Sequence, residues 1–149
     1  MEIAGALRQT LVAVADRLGS TRHDWWIISS AAVALQGGDP GAVGDVDVLL
    51  DPRDAPAVFA ALGLPLVSGQ GTSLFRSDWF GTWGGSPLPV ELFAGFALCE
   101  DGRWNPVRPQ TRRPVQVDGA VLYLPERAEL KAMLLRFGRP KDLARAATL

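Results

Sequence analysis

Two aspartates separated by one residue, Asp45 and Asp47, are the groups in this chain best spaced to act together. They open the run Asp45-Val46-Asp47-Val48-Leu49-Leu50, whose β-branched and aliphatic residues predict a strand. Residues two apart on a strand project from one face, so both carboxylates point the same way. Like charges held side by side are unfavourable unless something offsets them. A solvated strand end is the plain reading of any Asp-x-Asp. Here the neighbours are of buried type and the acids sit at the strand's mouth, beside a glycine-rich loop at Gly37–Gly44. Hard oxygen ligands so placed suit Mg²⁺ or Mn²⁺, with positions left for substrate phosphates.

A third carboxylate, Glu91, lies in Pro89-Val90-Glu91-Leu92-Phe93, a second short apolar run that reads as a strand. A buried acid needs a partner, a metal or a raised pKa; an edge strand would let it face solvent instead.

Several elements must position these groups. Ile3, Leu7, Leu11, Val14 and Leu18 recur at helical steps, and Gly19-Ser20 ends that helix. Trp25–Ile28 reads as a buried strand. Ser29-Ser30 then opens a helix through Leu35, with a hydroxyl available to accept from a free backbone N–H. After the acids, Asp54 is placed to cap a helix at Ala55–Leu62, with Pro56 tolerated near its start. Thr72–Ser77 reads as a strand, and Asp78–Ser86 as an exposed turn. In that turn Trp79, Phe80 and Trp83 either stack on a ligand or pack as core. Arg103, Arg108, Arg112 and Arg113 make the most basic stretch, a solvated surface or an anion contact. Val115–Tyr123, with Asp118-Gly119 at its tip, predicts a hairpin. The chain finishes with two helices, one from Pro125-Glu126 to Gly138 and one over Lys141–Leu149.

Strand, small-residue turn, short helix, glycine-containing loop and D-x-D strand together resemble the DNA polymerase beta-like nucleotidyltransferase superfamily. Its small members include aminoglycoside nucleotidyltransferases and proteins of abortive-infection and toxin–antitoxin systems. The C-terminal pattern around Lys131, followed by Arg139, Lys141 and Asp142, resembles the same group. Ser29 stands where relatives usually have glycine, and Arg145 where they often have a second aspartate. The resemblance implies an α/β (α+β) domain with a mixed twisted sheet flanked by helices. It implies metal ligation by Asp45, Asp47 and Glu91, with Glu91 either a ligand or the acceptor's base. Phosphate contacts fall to Ser29, Ser30 and Lys131. The reaction implied moves a nucleoside monophosphate from a nucleoside triphosphate to a small molecule, protein or transfer RNA. A catalytically weak binding protein, such as a toxin–antitoxin component with an antitoxin partner, is the alternative.

Composition bounds these readings. The 149 residues suit one domain, expected to span 1–149. A formal net charge of −1 supplies no general basic field for nucleic acid. The single cysteine, Cys99, excludes an internal disulfide, and with only His23 beside it a cysteine- or histidine-based metal site is excluded too. His23 itself reads as an incidental loop residue. No signal peptide or membrane span is evident, so a cytoplasmic location is expected.

Overall fold

The computed structural model describes residues 3–149; Met1 and Glu2, the first two residues of the expected domain, lie outside them. The chain runs through α1 (Gly5–Arg17), β1 (Trp26–Ile28), α2 (Ser29–Leu35), β2 (Val46–Leu50) and α3 (Ala55–Leu62). It continues with β3 (Val67–Gly69), β4 (Phe75–Trp83), β5 (Val90–Ala94), β6 (Ala97–Glu100) and β7 (Arg103–Pro106). The hairpin β8 (Arg113–Val117) and β9 (Ala120–Leu124), then α4 (Arg127–Phe137) and α5 (Pro140–Ala146), complete it.

Seven strands form one mixed sheet in the order β1-β2-β5-β4-β6-β7, with β3 added beside β4. Among the described residues, β2 and β5 pair in parallel and the other pairings of the sheet are antiparallel. The sheet curls at β4. Its Trp79–Trp83 half pairs with β5, while Phe75 and Arg76 pair with β6. The β8–β9 ribbon forms a separate two-stranded sheet. The expected α/β architecture, a mixed twisted sheet with flanking and C-terminal helices, is the one found.

One strand face is apolar without interruption across the central strands. Ile27, Val48 and Leu92 are almost wholly buried and lie side by side across β1, β2 and β5. Gly81 on β4 continues this face. A side chain there would meet Phe59 and Leu64, so α3 packs against it directly. The alternate residues Ile28, Asp47 and Glu91 therefore share the opposite face.

Three local expectations are corrected. Asp78–Ser86 is not an exposed turn: most of it is the second half of β4, and Trp83 is buried with the Arg17 guanidinium 5.3 Å from its ring. Aromatics separated by glycine and serine satisfy a twisted strand once cross-strand partners exist, which no local pattern reveals. Asp54 precedes α3 but makes no cap. Its carboxylate accepts from the backbone N–H groups of Arg22 (3.1 Å) and His23 (2.9 Å), tying the connection between α1 and β1 to the start of α3. Neither serine hydroxyl caps α2. In the basic stretch, which stays largely exposed as expected, three of the four arginines also bind groups of the protein itself. Arg108 donates to Asp51 at 3.0 Å, Arg112 pairs with Asp24 at 3.2 Å, and Arg113 donates to Gln36 at 2.9 Å.

Candidate active site

β2 and β5 bring the acids together. In their parallel register Asp47 is the direct partner of Glu91, and Asp45 stands just before β2 on the same face. Partners in register project from the same side of a sheet, so a local D-x-D becomes a three-carboxylate cluster. One oxygen from each of Asp45, Asp47 and Glu91 lies within 4.8 Å of the others.

The electrostatics of this cluster are unfavourable as it stands. Burial, then the charges of Asp45 and Glu91, push the Asp47 carboxyl up from 3.8 to about 7, against the pull of the Ser29 hydroxyl and Arg139. Burial and the Asp45 carboxylate also raise Glu91, with Lys141 opposing them. The Oδ1 atom of Asp47 is buried and has no hydrogen-bond partner among the described residues. A buried acceptor without a donor is costly, and three converging hard oxygens are the donor set that a divalent cation takes. The residues present therefore fit the metal implied by the resemblance.

The carboxylates open into a cleft of about 580 Å³. Ser29 and Ser30 form its inner end, where β1 passes into α2. Ser29 has φ +58, a left-handed conformation that a side chain disfavours and glycine accepts without strain. The serine thus holds the backbone shape that glycine would give. Replacing Ser29 with glycine is expected to leave the fold intact and raise stability by up to about 1 kcal/mol, net of glycine's greater chain entropy. Urea unfolding measures this; a loss above about 1 kcal/mol would mean that the hydroxyl matters more than the strain.

Arg139, Lys141 and Arg145, at the start of α5 and along it, line the cleft near the acids. Arg139 is oriented by Asp142, with its Nε donating at 2.6 Å. Arg145 Nε donates to the Pro40 carbonyl at 2.8 Å and so ties α5 to the loop that leads into Asp45. Lys131 is not among the cleft residues. It is exposed on α4, with its ammonium 3.5 Å from the Leu149 carbonyl oxygen. The lysine at the cleft is Lys141, ten positions on, already visible in the R-x-K-D segment. Sequence reasoning missed four of the cleft's five phenylalanines, Phe75, Phe93, Phe96 and Phe137, and also Arg76. None carries a local signal that separates a cleft wall from a core.

No protein-family model matches this sequence, and no curated protein matches it either. Solved structures do. A Thermotoga maritima protein provisionally described as a nucleotidyltransferase superposes with a TM-score of 0.72 at 24% identity, over 87% of this chain and 83% of that one. This is the DNA polymerase beta-like nucleotidyltransferase fold. An antigenic nucleotidyltransferase-like protein from Paracoccidioides brasiliensis matches at a TM-score of 0.55 and 18% identity, over 97% of this chain and 75% of that one. The lincosamide antibiotic adenylyltransferase LnuA matches at 0.58 and 8% identity, over 99% of both chains. In this nucleotidyltransferase fold the possible acidic triad is Asp45, Asp47 and Glu91. No described helix is long and apolar enough to cross a membrane.

Proposed function

We propose that this chain is a metal-dependent nucleotidyltransferase, moving a nucleoside monophosphate from a nucleoside triphosphate to an acceptor hydroxyl. One observation carries the reading: three carboxylates on adjacent strands converge beside a buried, unpartnered Asp47 oxygen, at the mouth of a cleft with a basic wall.

Asp45, Asp47 and Glu91 hold Mg²⁺ or Mn²⁺. When bound, the cation offsets the negative charge that builds on the phosphates during transfer. The chain's own groups do the rest. Ser29 and Ser30 donate from hydroxyl and backbone to phosphate oxygens at the inner end. Lys141 and the Asp142-oriented Arg139 add positive charge from the start of α5. The acceptor oxygen forms a bond to the α-phosphorus while the bond to the departing pyrophosphate breaks, and pyrophosphate leaves with that electron pair. The hydroxyl proton passes to solvent or to Glu91, whose raised pKa suits a proton acceptor when it is not engaged as a ligand.

The test follows pyrophosphate release from the four ribonucleoside triphosphates, with Mg²⁺ or Mn²⁺, against small-molecule, protein and transfer-RNA acceptors. The expected result is metal-dependent release that Asp45→Ala reduces at least about a hundredfold, the scale of losing one catalytic electrostatic group. Metal-dependent nucleotide binding with no transfer to any acceptor would point to a nucleotide-binding protein. Absence of binding at millimolar nucleotide would sink both readings.

A further inference from the structure

The cleft continues past the acids, and on that side its chemistry changes. In the sheet order β1-β2-β5-β4 the serine turn flanks the carboxylates on one side and β4 flanks them on the other. A triphosphate seated at the serines leaves the β4 side for the acceptor, because the attacking oxygen must approach opposite the departing pyrophosphate. The inference therefore rests on the transfer reading above.

The β4 side presents a floor and a charge. Phe80 and Phe93 are direct cross-strand partners with ring centroids 5.1 Å apart, and both line the cleft. At their edge stands Arg76, whose guanidinium lies 4.4 Å from the centre of the Trp104 ring. That stacking limits its motion, yet it leaves the planar fork of N–H donors uncommitted. The Arg76 backbone belongs to the β4–β6 pairing, but its guanidinium has no hydrogen bond or ion pair among the described residues. Two of the neighbouring cations differ, Arg139 being held by Asp142 and Arg145 by the Pro40 carbonyl, while Lys141 stands near the Glu91 carboxylate. Among the described residues, the acids lining the cleft are the three of the cluster, set against four bases. Arg76 also borders the adjoining depressions, where Asp78 and Trp104 lie, but Asp78 does not line the cleft and makes no ion pair with Arg76 among the described residues. A polycationic acceptor would find no counter-charge on this side, whereas an anion finds a pre-stacked guanidinium.

We propose that the acceptor is a small hydroxy compound with an apolar body and an anionic group, the body lying on Phe80 and Phe93 and the anion on Arg76. Arg76 is then the residue that selects acceptor charge. Three probes on one skeleton test it: para-hydroxyphenylacetate, its neutral amide, and the cationic amine tyramine. Calorimetry with a non-hydrolysable nucleoside triphosphate and Mg²⁺ comes first; no binding there defeats the transfer reading itself. On the nucleotide-loaded protein, saturation-transfer NMR then ranks the probes, and pyrophosphate release ranks those that react.

The expected order is acid over amide over amine, with at least about a fivefold difference between the ends, about the 1 kcal/mol of one partly exposed charge pair. Arg76→Gln removes the acid's advantage, and Arg76→Glu inverts the order. Preference for the amine by the unaltered protein, absence of any order, or no probe binding to the loaded protein overturns the proposal. So does a tenfold loss of nucleotide affinity in Arg76→Gln, which would assign the guanidinium to the nucleotide.

Discussion

Replacing Asp47 with asparagine is expected to stabilise the metal-free protein at neutral pH while abolishing metal binding and transfer. The Asp47 carboxyl is pushed from 3.8 to about 7 by burial and by its two acidic neighbours. A folded state that binds a proton more tightly than the unfolded chain loses stability as pH rises between those two values. The wild type without metal should therefore be more stable near pH 5 than near pH 7.5. Asparagine is neutral at both and has nearly the same shape, so it removes this contribution to the slope. At pH 7.5 the gain is roughly 2–3 kcal/mol, somewhat less than the full shift implies because the three acids titrate together. Urea denaturation in chelator at the two pH values measures it. If the variant-minus-wild-type difference were the same at both, Asp47 would not carry the strain. Adding Mg²⁺ with nucleotide should reverse the ranking, because the cation rewards the carboxylate that the apo protein penalises. Such opposition between stability and activity is expected where like charges are gathered for function.

The second large effect concerns Asp142. This residue is completely buried in the first turn of α5, where its carboxylate accepts from Arg139 through Nε (2.6 Å), Nη2 (3.1 Å) and the backbone N–H (3.3 Å). The guanidinium it holds lies 4.9 Å from the ring centre of Phe75, at the cleft wall. Asp142→Ala leaves the Arg139 groups without their acceptor and opens a void under α5. Removing one partner of a fully buried pair costs about 3–5 kcal/mol, but Arg139 is 35% exposed and regains water, so about 2–3 kcal/mol is expected. Asp142→Asn, which keeps one acceptor oxygen, should lose about half as much. Urea midpoints measure both. A loss in Asp142→Ala below about 0.5 kcal/mol would show the pair to be dispensable for folding. In transfer assays a loosened Arg139 should raise KM for the nucleotide more than it lowers kcat, since the cation acts on ground-state phosphates as well as on the transition state.

What the sequence by itself determined was local. Alternation along a strand set Asp45 and Asp47 on one face, because the side-chain period of two acts within a few residues. Ser29-Ser30 after an apolar run marked the turn into α2, and the order of elements around it was enough to suggest the fold. Tertiary structure decided everything that depended on register. Glu91 lies far from Asp47 along the chain, separated by all of α3, β3 and β4, and only the parallel pairing of β2 with β5 makes them partners. Lys131 and Lys141 both sit in basic helical segments. The way α4 and α5 fold back on the sheet leaves Lys131 at the C-terminus and Lys141 at the cleft. The aromatic and glycine-rich stretch from Asp78 onward has no turn geometry of its own to enforce; cross-strand partners on β5 draw it into β4. Arg76 had no pattern around it at all. It became a candidate only when the curl of the sheet carried Trp104 beneath its guanidinium, a contact between strands that no spacing along the chain encodes.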